Sequence, residues 1–256
     1  TIKGANLSTN NILAEIEELI NSGNKEAGLS LLKNYAVTLK SQTSRLSVLN
    51  FYRKISSKLD LRKYKVAILR SVTVEPLIPY FELDAFLNDI EIEIYVAPFN
   101  SFEVELLNKN SDIFSFNPDL TLVYLRGEEI IDNLYSSFTE IAVGNFSKIH
   151  KEIIERQKNI VKLIEDNLSS KILITNFPRP VNLAFGVFDG SFTKSHYRFI
   201  DKLNLDLAIL YENSSRVNIL DIDYLSNKIG LDNWYNRKMW YSSKAPLSVK
   251  SYSFLS

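Results

Sequence analysis

Cysteine is absent from the 256 residues, and histidine occurs twice, at His150 and His196. The first absence excludes thiol catalysis, cysteine-ligated zinc and disulfides together, and it fits a reducing compartment. Glycine is scarce, with eight in the chain, and neither G-x-x-x-x-G-K-[ST] nor G-x-G-x-x-G occurs, so no glycine-rich phosphate cradle can be assembled. No His/Asp/Glu cluster has metal-ligand spacing, and no metal or other cofactor is expected in these residues. Thirty basic and thirty acidic residues cancel. Without a global basic field, neither nucleic acid nor an anionic membrane is an expected partner. No apolar run approaches the roughly 18 residues of a membrane span, and the N-terminus lacks a signal-peptide pattern. A cytoplasmic location is the expectation.

What the chain does have is core-forming material: 45% of it is apolar and 12% aromatic, enough for one α/β domain with an appendage. From Asn10 to about Asp60 the apolar residues recur at helical spacing, as in Ile12, Ile16, Leu19 and Ile20, with breaks at "NSGN" (Asn21–Asn24) and "SQTS" (Ser41–Ser44). This pattern predicts a helical appendage of about three helices over residues 1–62, suited to packing or partner contact. From Lys65 the rhythm changes. Runs rich in branched residues appear at Val66–Leu69, Ile92–Val96, Leu120–Leu125, Ile172–Thr175 and Val217–Leu220. Helix-like segments separate them at Pro76–Asn88, Phe102–Asn108, Lys148–Leu168 and Lys194–Tyr211. Strands that are apolar throughout and alternate with helices indicate a mostly parallel five-stranded sheet covered on both faces. The expected fold over residues 63–256 is α/β, a flavodoxin-like three-layer sandwich, with ligands outside the carboxyl ends of the strands.

The residues at those ends are Ser71 and Thr73 after the first strand and Asn100 after the second. Arg126 and Glu128 follow the third, Asn176 and Arg179 the fourth, and Asp221 and Asp223 the fifth. Ser71 has two readings. It can cap the helix that follows, or it can be a nucleophile at a strand-to-helix turn, which requires a base to take its proton. Neither histidine follows the last strand, and each reads as a surface or capping residue, so a Ser/His/Asp triad has little support. Asp221 or Asp223 reads as the N-cap of a helix Tyr224–Ile229. "RKMWYSSK", Arg237–Lys244, reads either as an aromatic-anchored tail or as a lid bringing Arg237 or Lys244 to an anionic ligand. An Arg70, Arg126, Arg179 and Arg237 set would suit phosphate or carboxylate if the four converge.

The block from "VAILRSVTVEPLIPYFELDAFL" through "NPDLTLVYL", with "ITNFPRP" and "VNILDIDYLSNKIGLDNWYNRKMWYSSKAPLS", resembles the N-terminal domain of FkbH-like proteins of the haloacid dehalogenase (HAD) superfamily, subfamily IIIC. The resemblance runs over roughly Lys65–Ser248. It implies an SGNH (GDSL-type) hydrolase-like fold, with Ser71 and Thr73 in the nucleophile block and Phe99-Asn100 at the second oxyanion block. Against that pattern, Ala97-Pro98 stands where a glycine would give a backbone donor. "RGEE" stands for G-x-N-D, and no histidine completes a D-x-x-H block, so the triad is incomplete. The resemblance implies a fused HAD domain, with its Mg²⁺, as a partner. It also implies an acyl carrier protein and glyceryl transfer or phosphatase chemistry in natural-product or polysaccharide biosynthesis. The D-x-D-x-T motif of that domain does not occur here, and the resemblance places the end of the chain near the link to it. The expected function is a non-hydrolytic module binding the carrier protein or a phosphoglyceryl or acyl ligand. The candidate residues are Ser71 as nucleophile position and Thr73, Asn100, Arg126, Glu128, Asn176 and Arg237 as ligand contacts. An ester hydrolase or acyltransferase using Ser71, and a structural interaction domain, are the alternatives.

Overall fold

The branched runs form one five-stranded sheet in the computed structural model, which describes residues 9–39, 41–127, 134 and 138–255. Its strands are β1 (Arg62–Arg70), β2 (Ile90–Val96), β3 (Leu120–Tyr124), β4 (Lys171–Thr175) and β5 (Val217–Leu220), in the order β2-β1-β3-β4-β5. β1 pairs with β3, β3 with β4 and β4 with β5, each in parallel. This is the flavodoxin-like order. Ala67 and Leu69 of β1 belong to a large apolar cluster, while Ile68 between them is equally buried but lies outside it. Alternate side chains point to opposite faces, so the strand is buried on both, which is why its sequence shows no alternation.

The chain divides into two compact units. One takes the residues up to Lys63 together with Leu77–Ile92, the other Tyr64–Pro76 with Glu93–Ser256. Where the sequence suggests a single cut near residue 62, the division is discontinuous. The first unit holds α1 (Thr9–Asn21), α2 (Lys25–Thr38), α3 (Gln42–Ile55) and α4 (Ile78–Leu87). Ser41 caps α3 by accepting the Ser44 N–H at 3.1 Å, which explains the break at "SQTS". Ile16, Leu32, Leu49 and Phe86 are among its core residues, and the Tyr52 and Phe86 rings stack at 4.1 Å. At Gly28 of α2 an added Cβ would lie 2.7 Å from Ile20 Cγ1, so only glycine permits this approach to α1.

The second unit adds α5 (Phe102–Leu107), α6 (Asp112–Phe116), α7 (Phe138–Asn167) and α8 (His196–Tyr211). The short helices α9 (Ile222–Ile229), α10 (Leu231–Trp234), α11 (Arg237–Ser243) and α12 (Val249–Leu255) follow. Its core joins Leu69, Val123 and Ile174 of the sheet to Ile153 and Ile160 of α7 and Phe199 and Leu203 of α8. α7 starts before the expected Lys148 and kinks at Asn145, which leaves helical φ/ψ. Asp221 caps α9 by accepting the Tyr224 N–H, as the "DIDYL" stretch suggests. Among the described residues, no helix is long and apolar enough to cross a membrane.

The surface reading of the histidines is corrected. His150 is buried, with Nε2 3.2 Å from Asp206 Oδ2. His196 is fully buried at the start of α8 and stacks on Phe138 with centroids 4.3 Å apart. Burial pushes the His196 imidazole down to about 4, with Asp189 opposing the shift. A histidine depressed from its ordinary value near 6.5 is neutral in the fold and must charge on acid unfolding. Its contribution is therefore complete above pH 6.5 and is lost as the pH falls toward 4. Chemical denaturation across that range is expected to show a slope that His196→Phe, which keeps the stack, reduces by up to about 3 kcal/mol between the ends. An unchanged pH profile in the variant would rule this out.

Candidate functional site

β1 is followed at once by Ser71, whose N–H donates to the Tyr124 carbonyl at 3.1 Å and extends the β1–β3 ladder by one step. Its side chain faces the same junction: the Arg126 N–H donates to Ser71 Oγ at 3.0 Å. Ser71 is 1% exposed. It does not cap the following helix. The hydroxyl instead ties the ends of β1 and β3, and among the described residues no imidazole or carboxylate hydrogen-bonds to it. A serine hydroxyl becomes a nucleophile only when a neighbouring group takes its proton.

Two residues on, Thr73 is held by the C-terminal segment. Its N–H donates to the Lys244 carbonyl at 2.9 Å and its hydroxyl to the Ser243 carbonyl. The end of α11 is thereby pinned to the serine turn. Arg126 supplies the second attachment. Its guanidinium lies 4.4 Å from the Trp240 ring centroid and 5.0 Å from that of Tyr235. Aromatic quadrupoles offset part of the cost of taking this cation out of water. Lys244 Nζ lies 4.5 Å from the same Trp240 ring. Lys244 also ends α11 in the left-handed region at φ 54°, which lets its carbonyl face Thr73 while its N–H closes the helix.

Asn100 also has positive φ, at 50°, a conformation asparagine tolerates well. Its N–H donates to the Arg70 carbonyl at 3.1 Å. The backbone donor at the expected oxyanion position is therefore already engaged. Arg70 itself is locked by Glu75, with Nη2 2.7 Å from Oε1, and by the Ala97 and Val72 carbonyls. Asn176 belongs to a separate polar cluster. It donates to Asp221 Oδ1 at 2.7 Å and accepts the Asp223 N–H at 3.0 Å, clamping the ends of β4 and β5. Arg179 bridges Asp223 at 2.8 Å and Asp201 at 2.6 Å, with its guanidinium 4.5 Å from the Tyr197 ring. Burial raises the Asp223 carboxyl, against the pull of Arg179. Asp221 and Asp223 are thus engaged by a cap, an amide and an arginine.

The structure therefore places Ser71, Thr73 and Arg126 in one cluster, with Asn100 beside Arg70 and Asn176 in the second. Arg237 is exposed on the first turn of α11. Glu128 lies outside the described residues. The four arginines do not form a common cradle: Arg70 and Arg179 are consumed by carboxylates, and Arg126 faces rings. Sequence reasoning missed Tyr235 and the Ser243 and Lys244 carbonyls. The one signal for them is the dense mixture of Arg, Lys and Trp in "RKMWYSSK".

A model of the FkbH N-terminal domain matches residues 65–256. The chain belongs to this family. Among solved structures, the FkbH N-terminal domain described here resembles the N-terminal part of the Bacteroides fragilis protein BF1531, which contains a phosphatase domain complexed with Mg. The identity is 20% and the TM-score 0.62, over 78% of this chain and 52% of that one. This chain thus spans about half the length of that structure, and the likeness is one of fold. More distant are a B. fragilis protein described as an acylhydrolase and a GDSL-like lipase from Bacteroides thetaiotaomicron. Their identities are 14% and 12% and their TM-scores 0.41 and 0.39, over 80% and 82% of this chain and 89% and 94% of theirs. No curated protein matches the chain significantly.

Removing the serine hydroxyl leaves the buried Arg126 N–H without its acceptor, which costs about 1–3 kcal/mol. Ser71→Ala is expected to lose that much stability in urea denaturation while Ser71→Thr, if it keeps the oxygen in place, loses less. Equal stability of wild type and Ser71→Ala would show that the tie across β1 and β3 contributes nothing.

Proposed function

We propose that this FkbH N-terminal domain is a non-hydrolytic binding module. In this reading it holds a carrier protein, or the acyl or phosphoglyceryl group that such a protein bears, for a fused HAD-type catalytic domain. The observation that carries it is the state of Ser71: buried, with its oxygen accepting the Arg126 N–H and, among the described residues, no base bonded to it. The only two imidazoles of the chain are engaged elsewhere, His150 beside Asp206 and His196 against Phe138. The Asn100 N–H, which would have to stabilise an oxyanion, serves the Arg70 carbonyl. Polar groups already satisfied by one another hold a shape and lower no barrier, because catalysis needs donors aimed at charge that develops in the transition state. Mg²⁺ chemistry belongs in this reading to the HAD domain, whose D-x-D-x-T motif these residues do not contain.

The competing reading, an ester hydrolase or acyltransferase using Ser71, would draw its base from Glu128 or from another domain. Short-chain p-nitrophenyl ester turnover by wild type and Ser71→Ala separates the two. The binding reading expects the same background rate from both proteins. A wild-type rate more than about a hundredfold above that of the variant, the usual scale for general-base assistance, would establish the hydrolase.

A further inference from the structure

From Asn233 to Ser256 the chain carries four basic residues, Arg237, Lys238, Lys244 and Lys250, and no acidic one. The remainder holds 26 basic against 30 acidic residues. A chain with no net charge therefore concentrates positive charge on and between its last two helices. The structure puts that charge outside. Arg237, Lys238, Lys244 and Lys250 are all exposed. Arg237, Lys238 and Lys250 have no carboxylate within ion-pair distance among the described residues. Elsewhere in the same unit, Arg70, Arg156 and Arg179 each pair with an acidic side chain.

Apolar side chains lie among these cations. Met239 and Tyr241 are exposed, Tyr241 at 72%, and on α12 so are Val249 and Phe254. Arg237 and Tyr241 are four residues apart and so share a face of α11. That surface is rigid, because the inner side of α11 is fastened by Thr73 to the Ser243 and Lys244 carbonyls and by Trp240 to Arg126. A rigid surface of cations interleaved with methionine and tyrosine suits an acidic protein face that also offers apolar contact. Duplex or single-stranded nucleic acid would need a longer basic track than this one helix offers. An anionic membrane would need more cations than these to hold it.

We propose that the outer face of α11 is the docking surface for an acidic partner protein that also offers apolar contact. The proposal rests on the binding reading above and gives it a place: the partner seats on α11 directly outside the Ser71–Arg126 junction. Electrostatic attraction sets its encounter rate and makes its affinity fall with salt.

The test uses the full chain and a purified acyl carrier protein as probe, with titration calorimetry at about 50 and 300 mM salt, concentrations chosen to span the Debye lengths of weak and strong screening. Arg237→Glu with Lys238→Glu is expected to weaken binding at least about tenfold at low salt, since like charges placed against each other repel. The same change of charge at Lys151 and Lys162, exposed on α7 and so outside the proposed surface, serves as control and is expected to leave affinity within about twofold, because charges outside the contact are screened by water and salt. Circular dichroism verifies that both variants are folded. If the α11 variant binds as the wild type does, the docking surface is wrong although the binding reading stands. If the wild type does not bind the carrier protein at all, the docking surface and the carrier half of that reading both fall. Binding instead to phosphatidylglycerol vesicles, lost in the α11 variant, would replace the protein partner with a lipid surface and overturn the proposal.

Discussion

The junction at Arg126 holds the second unit's C-terminal helices and its serine turn in one arrangement. The residue acts through two unrelated groups. Its backbone N–H, placed by the end of β3, secures Ser71, and its guanidinium lies against Trp240 and Tyr235. A cation about nine-tenths buried is expensive to desolvate. Rings on two sides recover part of that cost, provided the segment bearing them stays docked. The serine turn and the segment from Tyr235 to Lys244 are therefore coupled through a single residue. Thr73 reinforces the coupling from the other side with two hydrogen bonds to carbonyls at the end of α11. Loosening either element exposes a polar group that the other one satisfies.

The same kind of coupling accounts for the polar residues described at the other strand ends. A hydrolytic serine site keeps an imidazole beside the hydroxyl and backbone donors pointed at empty space. Here the hydroxyl accepts from Arg126, the Asn100 N–H serves Arg70, and the Asn176 amide joins Asp221 to Asp223. Each of these groups completes another part of the protein. Among the described residues, polar side chains tie the end of β1 to that of β3 and the end of β4 to that of β5.

The strands were legible because a parallel strand buried on both faces is apolar along its length, as Val66–Leu69 and Ile172–Ile174 are. Helix starts were less so. α7 begins at Phe138, where the pattern before Lys148 is interrupted at the kink by Asn145. The role of Ser71 was not readable at all, since its partner is a backbone N–H 55 residues away, and backbone donors leave no trace in side-chain pattern. His196 misled for a similar reason. At a helix start it resembles a capping residue, but Ser195 is the cap and the imidazole turns inward to Phe138, far away in the chain. Arg179 looked available for a ligand because its carboxylates come from α8 and α9, segments that only the fold brings together. What did carry across was the family likeness of whole blocks, which depends on many positions at once rather than on any one partner.

How α11 is attached decides what it can offer to the outside. Had the segment been fixed by salt bridges, its cations would have been neutralised by the carboxylates that held them. Attachment through Trp240 and through the Ser243 and Lys244 carbonyls uses rings and backbone dipoles instead. These interactions fasten the inner side of the helix, while Arg237 and Lys238 on the outer side have no carboxylate partner among the described residues. Ring contacts are also less sensitive to salt than exposed ion pairs, which screening weakens readily. The helix can thus remain docked under conditions that modulate the reach of its field. A surface charge kept free of internal partners in this way retains its full potential for a partner of opposite sign.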